Sequence, residues 1–148
     1  MNLNDNPLEP KLILGFDFGT KYIGVAIGQT TTNTARPIAC LKNNHQQINW
    51  EAIDILIHSW KPKELIVGIP TDLNNKIQPI TIKSLKFYQQ LQKRFKLPTH
   101  KVNEQLSTWE AKKSLKLQHK EHLAKQELLD INAKAAAILV SQWLNENY

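Results

Sequence analysis

Residues 11–28 read KLILGFDFGTKYIGVAIG and hold four of the five glycines of the chain. Two apolar runs, residues 11–17 and 22–28, flank the short segment 18–20. This pattern predicts two antiparallel strands joined by a tight turn. Asp17 ends the first run, and a carboxylate at the edge of an apolar core costs free energy unless a partner or a metal compensates its charge. Asp17 is therefore the first candidate for a functional residue.

The remainder of the chain alternates between strand-like and helix-like patterns. Residues 34–41 (TARPIACL) predict a third strand, in which Pro37 favours a sheet edge or a bulge. Further along, apolar residues recur with helical spacing in some segments and form short continuous runs in others. These segments are a helix at 49–60, a strand at 64–68, a loop at 69–78, a helix after Pro79, a strand at 97–102, a helix opened by a capping box at 107–110, and a final helix at 128–144.

The order of these elements predicts the fold class and the domain organisation. Three consecutive strands followed by alternating helices and strands indicate one α/β domain over residues 1–148. Its sheet would be mixed and five-stranded, with three antiparallel strands first, then two parallel strands, and helices on both faces. Residues 1–10 carry no apolar block, so we expect a flexible N-terminus rather than a signal peptide.

The lengths of the apolar runs and the cysteine count indicate the compartment in which the protein acts. No apolar run approaches the roughly 20 residues needed to span a bilayer. The single cysteine, Cys40, excludes an internal disulfide and any cysteine-cluster metal site. We therefore expect a cytoplasmic protein without membrane association. We also expect a monomer or a weak dimer, although the sequence itself does not show the oligomeric state.

Charge is unevenly distributed along the chain. Between Lys83 and Lys125, 11 Lys and Arg accompany three Glu, an excess of eight positive charges, whereas the net charge of the whole chain is +6. Such a basic tract suits a polyanion, because Lys and Arg that neutralise nucleic-acid phosphates release condensed counterions. A solvated, lysine-rich surface accounts for the tract equally well.

Acidic residues at the ends of predicted elements indicate a metal site. Glu104 follows the predicted strand 97–102, much as Asp17 ends the first strand, and ligands gather at the carboxyl ends of parallel strands. A third acidic group is expected at the start of the final helix, around Asp130. Three oxygen ligands suit Mg²⁺ or Mn²⁺. Taken singly, Asp17 could instead initiate a turn, and Glu104 could be an ordinary loop residue.

Several segments together resemble one known family. Residues 14–28 are similar to the opening of the YqgF family, also called RuvX, and the resemblance extends over residues 12–148. It includes residues 34–37 (TARP), 66–70 (IVGIP) and 103–108 (NEQLST), the last resembling the family's DERLST, followed by an alanine-rich final helix. Members are ribonuclease H-like proteins described as pre-16S ribosomal RNA nucleases, and formerly as Holliday junction resolvases.

The resemblance implies a site and a reaction. Asp17 matches the family's first-strand catalytic aspartate, and Glu104 matches the glutamate of DERLST. These carboxylates would bind the metal ions of a two-metal phosphodiester hydrolysis. The implied cofactor is Mg²⁺ or Mn²⁺, and the implied partner is pre-16S rRNA or the pre-ribosomal small subunit.

Three positions depart from the family's pattern. The aspartate and arginine of DERLST are Asn103 and Gln105 here, and the aspartate of the last helix falls on Asn132. Asn132 offers a carbonyl oxygen without negative charge and would hold a metal more weakly. Asp130 lies two residues earlier, a rotation of roughly 200° on a helix, and could replace Asn132 only if the helix start is shifted or frayed. Asn132 and Asp130 both remain catalytic candidates, with Asp130 also a candidate metal ligand.

Basic residues near the candidate site could contact the nucleic acid. Lys112, Lys113 and Lys116 begin the predicted helix behind Glu104, and Lys21 follows the first strand. For the three helical lysines, an exposed helix face is the alternative explanation.

Three functions stay open at the level of sequence. The leading hypothesis is an endonuclease on structured RNA that leaves a 5′-phosphate late in small-subunit rRNA maturation. A Holliday-junction-type DNA endonuclease would use the same chemistry, and a catalytically weakened nucleic-acid-binding assembly factor is favoured by Asn132. An actin-like ATPase, suggested by residues 17–20, would need two such subdomains around its nucleotide, which 148 residues supply only if two chains pair.

Overall fold

The computed structural model describes residues 9–71, 74–105 and 125–148, with the backbone alone for 105 and 125–130. The strands are β1 (Leu12–Asp17), β2 (Tyr22–Gln29), β3 (Thr34–Lys42), β4 (Glu64–Thr71) and β5 (Thr99–Gln105). The helices are α1 (Trp50–Trp60), α2 (Pro79–Phe95) and α3 (Lys125–Asn147). The helix predicted to open at 107–110 and residues 1–8 of the expected flexible N-terminus lie outside the described residues.

The five strands form one mixed sheet in the order β3-β2-β1-β4-β5. β1, β2 and β3 pair antiparallel, whereas β4 is parallel to both β1 and β5. The predicted sheet is therefore confirmed. Pro37 lies in the edge strand β3, where the register shifts from Val25↔Ala39 to Ala26↔Pro37, so both the edge and the bulge expected of this proline are present.

Two strands are longer than predicted. β4 continues through Thr71, so the prediction that a loop begins at residue 69 was wrong. β5 continues to Gln105, so Glu104 lies within the strand instead of following it. The cause is pairing, because Pro70↔Glu104 and Thr71↔Gln105 extend the parallel ladder beyond the apolar residues that marked the strands in the sequence.

The sheet is covered on both faces, as predicted. One face carries Phe16 and Val67 against Phe87 and Leu91 of α2, with α1 contributing the buried Ile53. The opposite face packs on α3 through a second core of nine buried residues: Ile13, Ala26, Ile66, Val102, Ala136, Leu139, Val140, Trp143 and Leu144. None of the described helices combines the length and the apolar content that crossing a bilayer requires.

Glycines let α3 approach the sheet closely. A Cβ atom added at Gly15, Gly28 or Gly68 would lie 2.2 to 2.6 Å from side-chain atoms of Val140 or Leu139. A Cβ at Gly24 would lie 1.9 Å from the backbone oxygen of Asn132. The glycines in residues 11–28 therefore allow α3 to pack closely on the sheet. At Gly24 this contact lies next to the candidate site.

Candidate active site

Asp17 and Glu104 lie on one face and at one edge of the sheet. β1, β4 and β5 run parallel, so their carboxyl ends share an edge. Side chains alternate between faces along a strand. Ile13 and Val102 pack against α3, so Asp17, four residues after Ile13, and Glu104, two residues after Val102, face the same side.

The strand register sets the spacing of these two carboxylates. Asp17 is level with Gly68 and Val102, since Phe16 pairs with Val67 and Gly68 pairs with Val102. Glu104 is therefore offset by two residues and separated from β1 by β4. Strand geometry places the two Cα atoms roughly 12 Å apart, with about 10 Å across the sheet and about 7 Å along it. At this Cα separation, a cation could lie between the two carboxyl groups if both side chains extend towards each other.

α3 brings the backbone of residue 132 to Gly24, the cross-strand partner of Asp17. Gly24 is the cross-strand partner of Asp17, and the backbone oxygen of Asn132 lies against Gly24. α3 is already helical at Lys125, five residues before Asp130. Asp130 and Asn132 therefore keep the regular offset of roughly 200°. The Asn132 side chain is half-buried at this position.

Asn43 fixes the turn that follows Asp17, a role that the sequence did not predict. Its side-chain Nδ2 donates to the carbonyl oxygens of Gly19 at 3.0 Å and Thr20 at 3.1 Å. Asn43 is only 6% exposed. In the sequence it begins the polar run NNHQQ, in which no pattern distinguishes a buried asparagine from the exposed residues after it.

Thr81 is a second polar residue that sequence reasoning missed. It lies in the first turn of α2 with 1% of its surface exposed. Its hydroxyl donates to the carbonyl oxygen of Pro70 and accepts from the backbone N–H of Gln78 at 3.0 Å. Since Pro70 pairs with Glu104, this contact anchors the end of β4 beside the second carboxylate.

The donor atoms of the site suit a hard divalent cation. Asp17 is 6% exposed, so its charge is poorly solvated and would be stabilised by a bound cation. Glu104 is half-buried. The Asn132 amide adds a neutral oxygen, and oxygen ligands with coordinated water are what Mg²⁺ and Mn²⁺ prefer. Among the described side chains, which exclude that of Asp130, no cluster of three His, Cys, Asp or Glu could hold a metal.

Of the four lysines predicted to contact nucleic acid, only Lys21 is among the described residues. Lys21 is exposed and directly follows the turn held by Asn43. Lys112, Lys113 and Lys116 lie outside the described ranges.

The sheet order and the helices on both faces define a ribonuclease H-like fold. T. thermophilus RuvC in complex with Holliday junction substrate superposes with a TM-score of 0.51 at 16% identity, covering 91% of this chain and 94% of that chain. The Fowlpox virus Holliday junction resolvase gives 0.51 at 17% identity, covering 91% and 97%. At these identities the likeness establishes the fold alone.

Sequence comparison identifies the family within this class. The family described as "RuvX: Holliday junction resolvase" matches residues 11–146, and the chain belongs to it. A Coxiella burnetii (strain RSA 493 / Nine Mile phase I) protein named "Putative pre-16S rRNA nuclease" is 41% identical over 140 residues, covering 95% of this chain and 96% of its own. A Blochmanniella pennsylvanica protein of the same name is 38% identical over 136 residues, covering 92% and 94%.

Proposed function

We propose that this protein is a metal-dependent endonuclease that processes the 5′ end of pre-16S rRNA during ribosome biogenesis. The observation that supports the proposal is that Asp17 and Glu104 lie on one face of one sheet edge, with the backbone of residue 132 against Gly24, the cross-strand partner of Asp17. The names of relatives 38% and 41% identical over more than nine-tenths of the chain support the RNA substrate. We further propose that it acts in the cytoplasm as a monomer or weak dimer.

Each residue of the site has a distinct task in this reaction. Asp17 and Glu104 would hold Mg²⁺ or Mn²⁺, with the Asn132 amide oxygen as a weaker ligand. Such ions lower the pKa of an attacking water and stabilise the leaving oxygen of a phosphodiester. Lys21 would neutralise a phosphate of the bound strand. Water adds to phosphorus and the 3′-oxygen departs, leaving a 5′-phosphate and a 3′-hydroxyl.

A branched DNA substrate is the second candidate. The description of the matching family as Holliday junction resolvase favours it. The chemistry of the two carboxylates is the same for RNA and DNA, so the substrates must be compared directly. A third candidate, an assembly factor that binds RNA without cutting it, is favoured by the neutral Asn132.

The proposal is tested by cleavage of an end-labelled precursor carrying the 5′ extension of 16S rRNA, beside a synthetic four-way DNA junction, with Mg²⁺ or Mn²⁺. We expect Asp17→Asn and Glu104→Gln each to lower kcat on the RNA by a factor of about 100 or more, because each removes a metal-binding charge. RNA affinity, measured by filter binding, should change less than threefold.

Matched controls are available away from the site. Glu64→Gln changes a carboxylate at the amino end of β4, and Asp54→Asn changes a half-buried carboxylate on α1 that pairs with Arg94. Both should cut RNA like the wild type. Faster cleavage of the junction than of the RNA would favour the resolvase candidate. RNA binding without metal-dependent cleavage would favour the assembly factor, and cleavage that survives Asp17→Asn would refute the proposed site.

A further inference from the structure

A buried asparagine outside the predicted site contacts the turn next to its main carboxylate. Asn43 directly follows β3, between exposed Lys42 and exposed Asn44, yet it is 6% exposed. A buried primary amide costs free energy unless its donors and its acceptor are used. Its contacts therefore indicate why this residue points inwards while its neighbours do not.

Three contacts connect Asn43 to successive carbonyl groups of one turn. Its side-chain Nδ2 donates to Gly19 O at 3.0 Å and to Thr20 O at 3.1 Å, which uses both hydrogens of the amide. Its backbone N–H donates to Lys21 O at 2.9 Å. The turn between β1 and β2 is thus bound at three consecutive residues by one residue that is at least 22 positions away in sequence.

The far side of the same amide is bound to a rigid element. Asn43 Oδ1 accepts from the backbone N–H of Asn49 at 3.4 Å. Asn49 is the N-cap of α1, and its own side chain accepts from Ala52 N at 3.2 Å. Asn43 therefore links the turn to the start of a helix that packs on the sheet.

The turn itself has little room to shift without breaking these bonds. A Cβ atom at Gly19 would lie 2.5 Å from the carbonyl oxygen of Tyr22, so the backbone is closely folded there. Asp17 precedes Gly19 by two residues, and exposed Lys21 follows it by two. A movement of the Gly19–Thr20 carbonyls would therefore displace the buried carboxylate and the lysine relative to each other.

We propose that Asn43 is a positioning residue for the phosphodiester hydrolysis: it holds the turn so that the Asp17 carboxylate and the Lys21 ammonium face the same phosphate. This inference rests on the function proposed above. Asn43 acts through the backbone and touches neither substrate nor metal. Groups that orient metal-binding residues typically change metal affinity or activity 10- to 100-fold when they are replaced.

The test compares Asn43→Asp with Asn44→Asp. Asn43→Asp keeps the shape of the side chain, but it replaces the donating amide nitrogen with a carboxylate oxygen that faces two carbonyl oxygens. Asn44→Asp makes the same charge change on the exposed neighbour. We measure kcat and KM on the labelled RNA precursor, Mn²⁺ affinity by titration calorimetry without RNA, and thermal unfolding. Activity is assayed well below the unfolding midpoint of each variant.

We expect Asn43→Asp to lower kcat at least tenfold and to weaken Mn²⁺ binding about tenfold, with KM within threefold of the Asn44→Asp value. A purely structural role would lower the unfolding midpoint and leave kcat and Mn²⁺ affinity of the folded protein unchanged, which would overturn the inference. Asn43→Ser retains one donor and should give intermediate values, and it decides the question if Asn43→Asp does not fold. If the wild type binds Mn²⁺ without cutting RNA, the proposed function fails while the Mn²⁺ titrations still test Asn43.

Discussion

At the scale of single residues, the site combines a buried acid with a neutral partner. Asp17 is 6% exposed although its proposed task is to meet a cation and a phosphate. Charging it there is costly without a compensating positive charge. In the proposed site Asn132 would contribute no charge of its own, so Asp17 and Glu104 would supply the charge that neutralises a metal among the described side chains. The proposed role of residue 132 therefore predicts a lower metal affinity than a carboxylate at this position would give.

Asn132→Asp should strengthen the metal site. The added carboxylate lies beside Asp17, so we expect Mn²⁺ affinity to rise about tenfold, since ligand charge tunes the affinity of oxygen-coordinated cations. Without metal, the two like charges should lower the unfolding midpoint, because each disfavours ionisation of the other. Calorimetric titration and thermal unfolding measure the two effects.

The control for this variant is Asn145→Asp on the same helix. Asn145 is exposed, and its Oδ1 accepts from Asn33 Nδ2 at 3.1 Å, which an aspartate oxygen can also do. Equal Mn²⁺ affinity in the two variants would contradict the placement of residue 132 among the metal ligands.

At the scale of elements, the position of α3 depends on the small residues beneath it. Gly24 meets the helix backbone at Asn132, whereas Gly28 meets the side chain of Val140. A side chain can adopt another rotamer, but a helical backbone moves only with the whole helix. The two glycines therefore tolerate an added methyl group differently.

Gly24→Ala should be the more damaging of two otherwise identical changes. We expect it to lower the free energy of unfolding by about 3 kcal/mol and Gly28→Ala by about 1 kcal/mol, within the range of overpacking effects. Gly24→Ala should also reduce cleavage, since it moves residue 132 away from Asp17. Urea denaturation gives the free energies. Equal losses for the two variants would show that α3 approaches the sheet less closely than the glycine contacts imply.

At the scale of the whole molecule, the candidate site and the contacts of the C-terminal tyrosine lie at opposite ends of the sheet. The carboxyl ends of β1, β4 and β5 carry the candidate site. At the opposite end, Tyr148 OH donates to Glu64 Oε2 at 3.2 Å, and His100 Nε2 lies 3.1 Å from Glu64 Oε1. His100 also stacks on Trp143, with ring centroids 4.9 Å apart. Tyr148 is therefore bound at the end of the sheet opposite to the candidate site.

This anchor should show in the alkaline pH dependence of stability. Burial first, and then the negative charge of Glu64, raise the pKa of Tyr148 above its ordinary value of 10.0. The folded state thus retains the proton more strongly than the unfolded state, so this contribution to stability is present below pH 10 and is lost as the pH rises through the raised pKa. Tyr148→Phe should reduce the fall in Tm between pH 8 and pH 11.

The expected difference is small, about 1 °C, because Tyr148 is half-exposed and solvent screens the interaction. Tyr88→Phe on α2 controls for the loss of a tyrosine. RNA cleavage at pH 8 should be unchanged in both variants. A loss of cleavage in Tyr148→Phe would show that the anchor and the site are coupled.

Local patterns in the sequence determined the order of the elements and the main acid of the site. Apolar runs and helical spacing depend on neighbouring residues, so the three-strand opening and the position of Asp17 could be predicted directly. The ends of β4 and β5 could not, because residues such as Pro70 and Glu104 are strand residues only through their pairing with each other.

Tertiary structure alone decided which distant residues lie near the candidate site. In the sequence Asn43 looks like the exposed residues beside it, and only the folded turn at Gly19 gives it partners. The backbone of Asn132 comes close to Gly24, the cross-strand partner of Asp17, only because α3 lies directly on Gly24. Both contacts depend on sheet order, register and the close approach of a helix, which arise from packing between segments far apart in the chain. The sequence by itself therefore determined the family and the candidate carboxylates. The packed fold determined which residues contact the segments that carry those carboxylates.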